Sequence, residues 1–122
     1  MIDVRDLGFT YPGGREVLRA VSFRVEKGAR VGLLGENGSG KTTLARLVSG
    51  LGEPSAGSVS VDGLTTADEK SVYEARRRVG LVFQDPERQI IETTVEREIG
   101  FGPRNLGLEP DEVRERVESA LG

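Results

Sequence analysis

Gly35-Glu36-Asn37-Gly38-Ser39-Gly40-Lys41-Thr42 decides how this chain reads. It is a full G-x-x-x-x-G-K-[ST] phosphate loop. Upstream, Arg30-Val31-Gly32-Leu33-Leu34 is a short apolar run of strand type. Downstream, Leu44, Leu47, Val48 and Leu51 recur at the spacing of one helix face. Strand, glycine loop and helix in that order are the context in which the motif becomes a physical site.

The residue types give the chemistry. Gly35, Gly38 and Gly40 carry no Cβ, so the backbone can take angles closed to other residues and approach an anion closely. Successive amides, through Asn37 and Ser39, then form a concave anion nest. The helix opening near Lys41 adds the positive end of its dipole, roughly half a charge. Lys41 is expected on the β- and γ-phosphates, the Thr42 hydroxyl on Mg²⁺, and the Thr43 amide and hydroxyl near the α-phosphate. A bare glycine-rich turn before a helix is the competing reading.

Composition narrows the classes. The chain has 122 residues, 17 basic and 20 acidic, with a net charge of −3, so one small domain with a core is expected and no nucleic-acid footprint. Arg76-Arg77-Arg78 reads as a solvated helix end. With no cysteine and no histidine, disulfides, thiol nucleophiles, imidazole bases and zinc sites are excluded from this chain. No apolar run is long enough for a membrane span, and the N-terminus lacks the regions of a signal peptide. A cytoplasmic protein is expected, held at a membrane only through partners.

The alternation of Ile2 and Val4, then Leu7, Phe9 and Tyr11, predicts a strand with a bulge near Asp6. Pro12-Gly13-Gly14 is a turn, and Val17 to Val25 a second strand. Ser58 to Val61 reads as a strand closed by an Asp62-Gly63 turn, and Asp68 to Arg77 as a polar helix. Val79 to Phe83 has the look of a buried parallel strand, ended by Asp85-Pro86. A short helix is expected over 94–101, with Pro103 and Gly107 in the following loop, and a last helix from Pro110 to Leu121.

Phe9-Thr10-Tyr11-Pro12, Val21-Ser22-Phe23, the phosphate loop and Val82-Phe83-Gln84-Asp85 follow the order found in ATP-binding-cassette (ABC) ATPases, and the chain resembles that family. Residues 82–108, from Val82-Phe83-Gln84-Asp85-Pro86 to Asn105-Leu106-Gly107-Leu108, look like the ATPase subunits of energy-coupling-factor transporters, importers of vitamins and of metal ions such as cobalt. The resemblance implies an α/β fold. Its incomplete P-loop NTPase core covers 29–85, after an N-terminal antiparallel β-subdomain over 1–28. The glutamine loop and the start of a helical subdomain follow over 86–122. It implies Tyr11 as the aromatic that stacks on adenine, although a strand-end tyrosine also simply packs on its hairpin. It implies Gln84 as a contact to Mg²⁺ and water, although an ordinary loop glutamine is the alternative. ATP and Mg²⁺ are the implied cofactors. A transmembrane subunit and a second ATPase subunit are the implied partners, with no direct membrane insertion.

The family's signature segment, its second acidic motif and its switch histidine are expected beyond residue 122. No run of four apolar residues here ends in Asp. Phosphoryl transfer depends on positioning and charge stabilisation, so the isolated chain is expected to bind ATP without hydrolysing it. In the family's sheet, the strands bearing those motifs separate the two apolar strands of this chain. Three outcomes are therefore open: a fragment with a gap, a half completed by another chain, or a rearranged fold. A non-hydrolysing phosphate-binding module, or a purely structural one, is the alternative function.

Overall fold

A computed structural model describes the backbone of residues 1–122 and every side chain except those of Pro86 and Arg88. The chain divides into two units, Met1–Leu81 and Val82–Gly122.

The first unit is built on a four-stranded antiparallel sheet of order β2-β1-β3-β4. Its strands are β1 (Ile2–Thr10), β2 (Glu16–Val25), β3 (Ala56–Val61) and the two-residue β4 (Leu64–Thr65). The expected bulge in β1 is present. Asp6 has φ +46°, and the register with both neighbours shifts around it. The bulge changes the spacing of inward residues from two to three, so that Val4 and Leu7 both face the core, 1% and 0% exposed. The Asp6 amide donates to Ser22 Oγ (2.8 Å), which satisfies a group the ladder has lost. Gly57 of β3 lies against the same bulge at φ +73°, where a Cβ would sit 2.3 Å from the carbonyl oxygens of Arg5 and Asp6. Only glycine fits there.

Helix α1 (Lys41–Val48) lays Leu44 and Leu47 on the core made by Val4, Leu7, Leu18 and Val59. It ends in a Schellman turn. Gly50 is at φ +71°, its amide bonds to Leu47 O, and the Leu51 amide bonds to Arg46 O. Helix α2 (Glu69–Arg76) starts at Asp68, whose carboxylate accepts from the Ser71 amide (3.0 Å). Its last residue, Arg76, donates twice to Gly50 O (2.9 and 2.6 Å), which places a cation at the negative end of α1.

The second unit holds a 3-10 turn (Pro86–Gln89), α3 (Val95–Asn105) and α4 (Pro110–Leu121), with α3 packed on α4. Gly100 of α3 is buried at this contact: a Cβ there would meet Val117 Cγ2 at 3.4 Å, an ordinary packing distance, and the Arg104 guanidinium at 2.6 Å. Glu98 of α3 accepts the amides of Ile91 and Glu92 (2.9 and 2.8 Å), tying down the segment that precedes the helix.

Three sequence expectations are corrected. Residues 30–34 and 79–83 are not strands: among the described residues no element pairs with either. Val31, Leu33 and Leu34 are exposed, Leu34 at 93%, and so is Val82 at 83%. A buried-strand composition cannot make a strand without a neighbour to take its hydrogen bonds. Pro103 does not lie in a loop but inside α3. The helix end is set instead by Gly107 at φ +72°, where the Gly107 and Leu108 amides close a second Schellman turn on Arg104 O and Pro103 O.

Candidate functional site

The phosphate loop sits where residues 35–40 run into α1, and the sheet holds its final residue in place. Gly40 caps the helix at φ +98°, and a Cβ there would lie 3.0 Å from both Val17 Cγ1 and Leu18 Cδ2 of β2. β2 thus sets how close the helix start can come to the sheet. Gly38 is at φ +82° with open space around it. Gly35 differs from the expectation that all three glycines serve unusual angles. It is not among the residues of positive φ, and its role is space: a Cβ would meet Ser39 Oγ at 2.7 Å.

Lys41 folds back over this hollow. Its ammonium donates to Gly35 O and Glu36 O (2.7 Å each) and lies 3.4 Å from Ser39 Oγ. The loop is therefore curled around the cation. By helix geometry the amides of Lys41, Thr42 and Thr43 have no acceptor within α1, and no side chain caps them. Cation, curled loop and helix start together form a cradle for a polyanion. Asn37 and Thr42 are exposed at the loop and at the first turn of the helix. Among the described residues no group of three or more Asp or Glu could hold a metal ion. A divalent cation here would use the Thr42 hydroxyl and the oxygens of a bound phosphate, a hard-donor set suited to Mg²⁺.

Tyr11 lies just past β1. Its ring meets Phe9 edge-on, with centroids 4.9 Å apart and planes at 89°. Its hydroxyl is 2.9 Å from Thr43 Oγ1. That bond was not legible in the sequence, where 31 residues separate the pair. Tyr11 is partly exposed, whereas Thr43 is buried. The two line a small cleft of about 90 Å³ with Arg46, Leu47 and Leu51. The structure thus brings Gly35, Ser39 and Lys41 into one hydrogen-bonded group and joins Tyr11 to Thr43. Gln84 belongs to the second unit, exposed in the segment before the 3-10 turn.

The family model described as "ABC transporter" matches residues 18–122, and the chain belongs to that family. It is 54% identical over 122 residues to a cobalt import ATP-binding protein, CbiO, of Syntrophus aciditrophicus, covering 99% of this chain and 44% of the relative. It is 45% identical over 126 residues to the energy-coupling factor transporter ATP-binding protein EcfA1 of Clostridium perfringens, covering 99% and 45%. The solved structure of cbiO1 from Clostridium perfringens, described as part of the ABC transporter complex cbiONQ, superposes with a TM-score of 0.82 at 33% identity, covering 98% of this chain and 48% of that one. The fold is accordingly a partial P-loop NTPase domain of the ABC type. The chain spans less than half the length of the curated relatives named here. Among the described residues no helix is long and apolar enough to cross a membrane.

Proposed function

We propose that this chain is the nucleotide-binding, N-terminal portion of the ATPase subunit of an energy-coupling-factor-type importer. The observation that carries the reading is the Lys41 ammonium held over a curled glycine loop at a helix start. The triphosphate of ATP would trade places with the carbonyl oxygens of Gly35 and Glu36 as partner of the ammonium. Gly38 and Gly40 would bring the backbone close to it, and the Asn37 amide would join them. The Ser39 amide, which donates to Glu36 O (3.2 Å), would complete the nest by exchanging that acceptor for phosphate. Thr42 is the protein oxygen proposed for Mg²⁺. The metal would offset phosphate charge when bound. Tyr11 offers its ring face to the base.

In the whole protein, this role powers import of a vitamin or a transition-metal ion through a transmembrane subunit, with a second ATPase subunit beside this one. The names of the relatives, a cobalt import ATP-binding protein and an energy-coupling factor transporter ATP-binding protein, support the import role. The chain by itself is proposed to bind without turnover, because no carboxylate is assigned to polarise an attacking water. The remaining length seen in the relatives would supply the strands that pair with 30–34 and 79–83.

Calorimetric titration with ATP and Mg²⁺, followed by a phosphate-release assay, tests this. Saturable binding that Lys41→Ala weakens at least tenfold, with no phosphate released, is expected. Binding unaffected by Lys41→Ala overturns the site, and turnover by the intact chain overturns the claim of incompetence.

A further inference from the structure

The bond between Tyr11 and Thr43 gives the tyrosine a second task. Resting on the nucleotide-binding reading above, we infer that the Tyr11 hydroxyl is a positioning group for the phosphate side of the site: it donates to Thr43 Oγ1 and leaves the threonine proton for an anionic oxygen.

The distance between the two oxygens, 2.9 Å, is that of a hydrogen bond, and either oxygen could supply the proton. Their chemistry chooses. A phenol ionises near pH 10, far more readily than an aliphatic alcohol, and is the better donor and the poorer acceptor. Thr43 Oγ1 therefore accepts, and its own proton remains to be given elsewhere. A hydroxyl that accepts one bond donates a stronger one, because bonds in a chain polarise each other.

The surroundings fix both partners. Thr43 is 7% exposed, in the first turn of α1 and next to the loop that holds Lys41. Tyr11 is anchored by the edge-on contact with Phe9, and Phe9 itself packs against the core. The bulge at Asp6 sets the phase that puts Phe9 on that side. A core-anchored strand end is in this way connected by one hydrogen bond to the helix start that faces the anion. A ring that only stacked on a base would have no use for that hydroxyl. If this bond matters, Tyr11 acts on ligands that have no base at all.

Inorganic tripolyphosphate with Mg²⁺ is the probe, because it offers phosphate oxygens and nothing to stack on. Its affinity is measured by calorimetry for the intact chain, Tyr11→Phe, Thr43→Val and the double variant, with thermal melts to confirm that each folds. Tyr11→Phe keeps the ring and is expected to weaken tripolyphosphate binding about threefold to tenfold, the range of one neutral hydrogen bond. In the Thr43→Val background the same change is expected to have no further effect. Thr43→Ser, which restores a hydroxyl, is expected to restore sensitivity to Tyr11→Phe. A general structural role for Tyr11 would not depend on the hydroxyl at position 43.

Unchanged tripolyphosphate affinity in Tyr11→Phe overturns the inference while leaving nucleotide binding standing, provided Lys41→Ala still weakens the intact chain. An equal loss with and without the Thr43 hydroxyl also overturns it. An intact chain that binds neither tripolyphosphate nor ATP overturns both the inference and the reading beneath it, and one that binds ATP but not tripolyphosphate overturns the inference alone.

Discussion

A methyl group at position 40 would meet Val17 and Leu18 at 3.0 Å and force an L residue to φ +98°. Gly40→Ala is therefore expected to cost about 2 kcal/mol of stability, from left-handed strain together with overpacking. Gly35→Ala should be milder, below about 1 kcal/mol, because the nearest atom is the rotatable Ser39 Oγ, though it disturbs the group around Lys41. Urea unfolding of the two variants checks the order, and the reverse order would refute this account of the loop. The motif itself was readable from eight consecutive residues. The division of labour within it was not, because Gly35, Gly38 and Gly40 are chemically identical and only their three-dimensional neighbours tell them apart. The contact between Tyr11 and Thr43 was hidden for the same reason.

At the scale of elements, legibility followed how local each determinant is. The bulge in β1 could be read because a slip in alternation is visible in nine residues, and α4 runs from Pro110 to Leu121 as expected. The helix around Pro103 could not, because proline's local preference lost to the packing of α3 on α4 and to the stop supplied by Gly107. β4 is two residues long and too short to carry a pattern. The runs 30–34 and 79–83 have strand composition, but pairing is a property of two segments, and no described strand is hydrogen-bonded to either. This has a measurable consequence. Leu34→Asp is expected to change stability by no more than about 0.5 kcal/mol, as for a surface site, since Leu34 is 93% exposed. A loss of about 3 kcal/mol or more on urea unfolding would mean that the segment is buried in a sheet after all.

At the scale of the molecule, the antiparallel unit carries the phosphate loop, and ion pairs across its strands should give it an acid-sensitive component. The hydrogen bond from Arg5, with a second from Arg24 on the neighbouring strand, holds the Asp3 carboxyl below the usual carboxylate range. A depressed folded-state pKa stabilises above the unfolded value, near about 4, and that contribution is lost as pH falls through the folded value. The melting temperature of Asp3→Asn should thus lie below that of the intact chain by a constant margin from neutral pH down to about 5, and the margin should close below about 4. A margin that persists in acid would assign Asp3 a role other than its charge. Amide chemical shifts test the anion cradle most directly. On adding ATP with Mg²⁺, the amide resonances of Gly38 and Gly40 are predicted to move saturably, and to need at least tenfold more nucleotide to do so in Lys41→Ala. Loop glycine resonances that do not move in the intact chain under excess nucleotide, while the fold is intact, would contradict it.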